Sequence, residues 1–207
     1  MLAAKLWNRN RDLTRACLDH PFVRGLGDGT LDRDAFNRYV AQDAFFMRAF
    51  LRAYAIGAAR CDEFEHARCF HRFMGGVLDE LKLHADYAAK LGIDLDAVTP
   101  FAATSAYIDF LQRTAWHCSV AETVAAMTPC MRLYAYLGEQ LRGRLWPDHP
   151  YAEWIHTYGD EDFDRLAGEV EALLDAVAED TPAVRDAYRY AMQCELDFFS
   201  APLEDMP

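Results

Sequence analysis

Apolar residues recur every three or four positions along most of the chain, the spacing that places them on one face of an α-helix. We expect helices over about 2–19, 31–60, 62–91, 104–117, 119–144, 160–179 and from 182 onward, with short helical material at 150–158. No run combines apolar–polar alternation with β-branched enrichment, the pattern typical of strands. The sequence therefore predicts an all-α bundle of about seven or eight helices.

Capping and helix-breaking residues mark several of these ends. Segment 20–29 holds one proline and three glycines, so we expect an irregular loop there and Thr30 as the next N-cap. Gly92 suits the end of the helix before it, because glycine readily adopts positive φ. Ser119 and Glu122 have the spacing of a capping box, which predicts the start of a long helix.

Length and composition indicate one globular unit. The chain has 207 residues and 52% apolar content, and a chain of this size buries roughly 70% of its unfolded surface. We therefore expect a single domain over 1–207, with its core at about 5–199 and a short tail at 200–207.

The formal net charge of −12 argues against nucleic-acid and membrane partners, because both present negative charge. Residues 2–13 are amphipathic and do not resemble a secretion signal. The six cysteines form no CxxC pair, so we expect free thiols and a cytoplasmic protein.

Two acidic residues interrupt otherwise apolar helix faces. Asp43 lies in the stripe of the 31–60 helix, and Glu195 lies in that of the last helix. A buried charge must be paired, protonated or bound to a ligand. An ion pair with a neighbouring helix explains either acid alone equally well, but the two together favour a functional site.

Cys130 shares a helix face with Met127, Tyr134 and Leu137, where a cysteine is usually a small hydrophobic residue. A thiol needs a nearby base or charge to act as a nucleophile, and Glu195 or Asp43 would supply one if the helices meet. Further aromatic residues favour a flat polar heterocycle as the ligand, although each alone is typical of a core: Tyr107, Tyr134, Tyr158 and Phe198.

Metal sites are weakly indicated. Glu80 and His84 are four residues apart on one helix, which suits either a metal or a local hydrogen-bonded pair. His20 is a candidate axial ligand for haem in a helical bundle. The paired Glu-x-x-His repeats of di-iron bundles are absent from the sequence, so we predict no metal and no cofactor.

Several blocks, in this order, resemble the TenA or thiaminase II family of aminopyrimidine aminohydrolases, which have a haem-oxygenase-like all-helical fold. The likeness spans about residues 5–199. The blocks are HPFVRGLGDGTL at 20–31, QD at 42–43, ELKLH at 80–84, AY at 106–107, PCMRLY at 129–134, WIHTYG at 154–159 and ELDFF at 195–199.

The resemblance assigns roles to the residues already singled out. It implies that Cys130 is the catalytic nucleophile, Glu195 the acid–base residue and Asp43 the anchor of the aminopyrimidine. It also implies substrate binding by Tyr107, Tyr134 and Tyr158, and we expect the aromatic ring of Phe198 to bind substrate with them. The cysteine places the chain in the cysteine-containing branch of the family.

Two positions depart from the family pattern. Phe46 stands where some members have tyrosine, so a ring face is kept and a hydroxyl is lost beside the substrate. Phe199 stands where tryptophan is common, which is a milder change.

By this resemblance the chain hydrolyses 4-amino-5-aminomethyl-2-methylpyrimidine to its hydroxymethyl product in thiamin salvage, as a homotetramer, with thiamin as an alternative substrate. Other functions remain open from the sequence: a regulatory or ligand-binding protein of the same fold, a haem or di-iron oxidase relative, or a hydrolase acting on a related amine.

Overall fold

The computed structural model describes residues 1–92 and 97–204, except for the side chains of residues 83–87 and 89–91. This part of the chain contains ten helices and no strand, which confirms the all-α prediction. The helices are α1 (Leu2–Arg9), α2 (Arg11–Leu18), α3 (Pro21–Gly27), α4 (Arg33–Arg60), α5 (Phe64–Leu91), α6 (Ala102–His117), α7 (Val120–Arg142), α8 (Ala152–Tyr158), α9 (Glu161–Val177) and α10 (Pro182–Glu204).

The first predicted helix, 2–19, is wrong as a single element, because it is interrupted at Asn10. The Asn10 side chain donates from Nδ2 to the Leu6 carbonyl at 2.8 Å, and Arg189 donates to its Oδ1 at 3.1 Å. A side-chain amide that bonds the local backbone competes with the helical ladder. The bond from Arg189 links this break to α10.

The predicted loop at 20–29 is also wrong, because it contains α3. Pro21 occupies the first helical position, where its missing N–H is not needed, and Nδ1 of His20 accepts from Phe22 N at 3.2 Å. The N-cap of α4 is Asp32 rather than Thr30, since Asp32 Oδ1 accepts from Ala35 N at 2.9 Å.

Other predicted ends are confirmed. Gly92 follows α5 with φ +71°, and Ser119 with Glu122 forms the capping box of α7. The segment 200–204 does not form a tail, because α10 continues through it and the Arg38 guanidinium donates to the Pro202 carbonyl at 2.8 and 3.0 Å. Residues 205–207 of the predicted tail lie outside the described residues.

Helices α4 and α7 organise the core. Helix α4 packs against α5 and α6, whereas α7 packs against α8, α9 and α10. One hydrophobic cluster runs through the described helices from Ala3 to Phe199. None of these helices has both the length and the apolar character that crossing a membrane requires.

Candidate active site

A cavity of about 210 Å³ lies between α4, α5, α7, α8 and α9. Five of the residues predicted from the sequence line it: Asp43, Phe46, Cys130, Tyr134 and Tyr158. The other three predicted residues, Glu195, Tyr107 and Phe198, lie behind this lining. Phe46 separates the two layers, since its ring contacts those of Tyr107 at 4.7 Å and Phe198 at 5.9 Å between centroids.

The thiol of Cys130 meets the cavity on one side and Glu195 on the other. Burial raises the pKa of the Cys130 thiol well above its ordinary value of 9.0, and the charges of Glu195, Asp43 and Glu80 raise it further. A side-chain hydrogen bond with Glu195 also favours the protonated thiol. Cys130 is therefore a neutral thiol at rest, and it needs a proton acceptor before it can act as a nucleophile.

Glu195 is a buried acid, with 1% of its surface exposed. Burial raises the pKa of its carboxyl to about 8, partly opposed by a hydrogen bond from Tyr107, while the charge of Asp43 raises it and the hydrogen bond with Cys130 lowers it. The Tyr107 hydroxyl donates to Oε1 at 2.7 Å. A carboxyl with this pKa can both hold and accept a proton near neutral pH.

Asp43 brings the second acid to the cavity wall. It is 5% exposed and lies on α4 in the stripe that includes Met47, Phe50 and Tyr54, all of which line the cavity. Its neighbour Gln42 accepts from Phe101 N and the Thr104 hydroxyl, each at 2.8 Å. These bonds tie α4 to the start of α6 and hold the Asp43 turn in place.

Tyrosine hydroxyls connect the α4, α7 and α8 sides of the site. The Tyr39 hydroxyl donates to that of Tyr134 at 3.2 Å and accepts from Trp154 Nε1 at 3.3 Å. The Tyr158 hydroxyl donates to Glu80 Oε1 at 3.1 Å. Burial raises the pKa of Tyr39, Tyr134 and Tyr158 well above 10, so these groups remain neutral hydrogen-bond partners.

The position of Tyr158 depends on a close approach of α7 and α8. A Cβ atom built on Gly138 would lie 2.3 Å from the backbone of both Tyr158 and Gly159. Glycine is therefore required at 138, because any side chain there would displace the end of α8 that carries Tyr158.

Sequence reasoning did not place Glu80, Tyr54 and Tyr39 in the site. The sequence predicts Glu80 as a partner of His84, whose side chain lies outside the described residues. The signal for Glu80 was nevertheless present, since it follows Phe73 and Val77 at helical spacing on α5, as an acid within an apolar stripe.

The candidate metal ligands have other roles where the structure describes them. His20 caps α3 through Nδ1, and its Nε2 lies 3.0 Å from Ser200 Oγ, so both ring nitrogens are engaged. Within the described ranges, no three His, Cys, Asp or Glu side chains are grouped to hold a metal ion.

Comparison with known proteins identifies the family of the chain. The model of the TENA/THI-4/PQQC family matches residues 7–206. The chain is 33% identical over 183 residues to an aminopyrimidine aminohydrolase of Halalkalibacterium halodurans, covering 86% of this chain and 82% of the relative. It is 35% identical over 167 residues to an aminopyrimidine aminohydrolase of Bacillus subtilis, covering 78% of this chain and 70% of the relative.

Solved structures give the same result. A TenA family transcription regulator from Silicibacter sp. TM1040 superposes with a TM-score of 0.91 at 26% identity, covering 97% of this chain and 95% of that chain. The helical architecture is thus shared over nearly the full length. The chain belongs to the TENA/THI-4/PQQC family.

Proposed function

We propose that this protein is an aminopyrimidine aminohydrolase of thiamin salvage. The family and the two curated aminohydrolases support this activity. The observation that carries the proposal is the placement of Cys130 and Asp43 in the lining of one small cavity, with Glu195 near enough to the thiol to raise its pKa. These groups match the reaction's need for a nucleophile, a proton carrier and an anchor.

The size of the cavity favours a substrate with one ring. A cavity of about 150 Å³ accommodates benzene, so about 210 Å³ suits a pyrimidine with small substituents. The second ring of thiamin would have to extend past the exposed residues Asp79 and Thr157 at the mouth. We therefore propose 4-amino-5-aminomethyl-2-methylpyrimidine as the preferred substrate and thiamin as a poorer one.

Asp43 anchors the ring in this proposal. A carboxylate is an acceptor for the donor N–H groups of a 4-amino substituent, and a buried charged acceptor makes a stronger hydrogen bond than a neutral one. The aromatic walls supplied by Phe46, Tyr134 and Tyr158 confine the ring plane. Because the ring is held in a fixed orientation next to the thiol, the addition becomes an effectively unimolecular step.

Cys130 then acts as the nucleophile. Its sulfur forms a bond to an electron-poor ring carbon, the thiol proton passes to the Glu195 carboxylate, and a ring nitrogen takes up a proton from solvent. The electron-rich adduct expels the amine from the exocyclic methylene, water adds there, and loss of sulfur restores the aromatic ring. When the sulfur leaves, Glu195 returns its proton to the thiolate and the ring nitrogen returns its proton to solvent. The sum is amine plus water giving alcohol plus ammonia, with the thiol regenerated.

We also propose that residues 1–207 form one domain, that the protein is a homotetramer and that it is cytoplasmic. The single hydrophobic cluster supports the first point. The exposed aromatic residues Phe64 and Trp116, at 86% and 62%, support subunit contacts. The six free thiols support a reducing compartment. Light scattering on the purified protein tests the assembly.

A panel assay tests the activity. Purified protein is incubated with the aminomethyl pyrimidine, with thiamin and with a simple benzylic amine, and the released ammonia or thiazole is measured. We expect fastest turnover of the aminomethyl pyrimidine and strong loss of that activity in Glu195→Gln. No ammonia release from any aminopyrimidine would refute the proposal, and full activity of Glu195→Gln would remove the acid–base role.

A further inference from the structure

The Tyr54 hydroxyl is buried in the cavity wall without a partner among the described residues. Tyr54 is 2% exposed and lines the cavity. Its ring is held by Phe50 at 4.7 Å and Phe73 at 5.4 Å between centroids. A buried hydroxyl without a hydrogen bond destabilises the fold, which indicates a site completed by a ligand or water.

Glu80 supplies an oriented carboxylate to the same cavity. It lies on α5, lines the cavity, and its Oε1 accepts from the Tyr158 hydroxyl at 3.1 Å. This bond holds the side chain in the wall, and the two oxygens of a carboxylate can accept several hydrogen bonds at once. Tyr54, Glu80 and Cys130 all line this cavity, so the three side chains surround one space.

Glu195, by contrast, reaches the cavity through Cys130. It is hydrogen-bonded to Tyr107 and Cys130, and among the described residues it is not part of the cavity lining. Glu195 therefore exchanges protons with the Cys130 thiol. The leaving amine and the incoming water need a different acid–base group, one that touches the cavity.

We propose that Glu80 and Tyr54 form the leaving-group subsite, which binds the protonated aminomethyl group of the substrate and then the water that replaces it. This inference rests on the proposed function. A primary ammonium group carries three donors, and the Glu80 carboxylate and the Tyr54 oxygen are acceptors for two of them. The nearby negative charge keeps the amine protonated, so that it departs as neutral ammonia with the electron pair of the C–N bond.

The same two groups serve the second half of the reaction. The Tyr54 hydroxyl donates to the oxygen of the replacing water, and Glu80 accepts the proton that this water loses when its oxygen bonds to the methylene. The ammonia released earlier takes that proton as it leaves as ammonium, which returns Glu80 to its carboxylate. Glu80 is thus a catalytic residue and Tyr54 a substrate-binding one.

The first test uses two tyrosine hydroxyls that are matched in burial and lack of partner. Tyr54→Phe and Tyr188→Phe each remove a buried hydroxyl that finds no partner in the described part of the chain, but Tyr188 lies outside the cavity. We expect both variants to keep or gain thermal stability. Tyr54→Phe should lower kcat/KM for the aminomethyl pyrimidine by about tenfold or more, and Tyr188→Phe should not change it.

The second test separates ammonium recognition from ring recognition. Calorimetry in a Cys130→Ala background, which prevents turnover, compares the aminomethyl pyrimidine with 4-amino-2,5-dimethylpyrimidine. Glu80→Gln should weaken binding of the aminomethyl compound by about tenfold or more, and binding of the dimethyl compound by less than about twofold. Glu65→Gln, an exposed acid on the same helix, is the matched charge control.

The outcomes distinguish a failure of the leaving-group subsite from a failure of the proposed function. An active wild type with Tyr54→Phe turnover near normal, or with parallel affinity losses for both ligands in Glu80→Gln, overturns the subsite and leaves the proposed function intact. An inactive wild type that binds neither pyrimidine overturns both.

Discussion

Replacing Glu195 by glutamine tests whether burying this acid lowers the free energy of unfolding of the protein. Burial raises the pKa of this carboxyl from its ordinary value of 4.5 to about 8. The amide of glutamine has nearly the same shape, accepts the Tyr107 hydroxyl equally well and does not ionise. The substitution therefore removes one titration and leaves the packing in place.

The sign of the effect follows from proton binding. Between about pH 4.5 and 8 the unfolded chain has lost the Glu195 proton, whereas the folded protein still holds it. The unfolded state binds fewer protons in this window, so the free energy of unfolding falls as the pH rises through it. Each pKa unit is worth about 1.4 kcal/mol, so the wild type should lose on the order of 5 kcal/mol from this group across the window.

Denaturant unfolding at several pH values measures the effect. Wild type and Glu195→Gln should have similar free energies of unfolding near about pH 4, and the variant should become progressively more stable toward about pH 8. Glu122→Gln is a control of opposite sign, because hydrogen bonds from Ser119 lower the pKa of Glu122. Parallel stability curves for wild type and Glu195→Gln would refute the reasoning.

Two further predictions concern the groups that position the site. Gly138→Ala should lower the free energy of unfolding by about 1–3 kcal/mol and raise KM, because the added Cβ displaces Tyr158. The control is Gly143→Ala, whose added Cβ would lie in open space, and it should change neither quantity in melting and kinetic assays. Tyr107→Phe should raise the pKa of Glu195 further, since the lost hydrogen bond lowers it. The acidic limb of the kcat/KM profile should then move to higher pH, and an unchanged profile would contradict the role of this bond.

The long helices were predictable because their apolar stripes are long and their caps are local. Ser119 with Glu122, and Gly92, act through backbone geometry that the sequence specifies directly. Helix α3 was missed because three glycines are typical of a loop, whereas its cap depends on the ring of His20. The break at Asn10 comes with a side-chain bond to the Leu6 carbonyl and a second bond from Arg189, which is far away in the sequence.

The sequence predicts which residues lie near the candidate site better than it predicts which of them line the cavity. A helical pattern places Asp43 and Glu195 on buried faces, but rotation and crossing of the helices decide which of them touches the cavity. Glu195 lies behind Cys130, and Glu80 on a neighbouring helix reaches the cavity instead. Phe46 likewise serves as a partition between the cavity and Tyr107, a role that single-sequence reasoning does not reveal.

Ammonia release by Cys130→Ala tests the central claim most directly. The assay compares wild type, Cys130→Ala and the control Cys69→Ala, another free cysteine outside the cavity, on 4-amino-5-aminomethyl-2-methylpyrimidine. If Cys130 is the nucleophile, its variant should lose at least about a thousandfold in kcat while Cys69→Ala stays near wild type. A Cys130→Ala protein that releases ammonia at a near-normal rate would contradict the account.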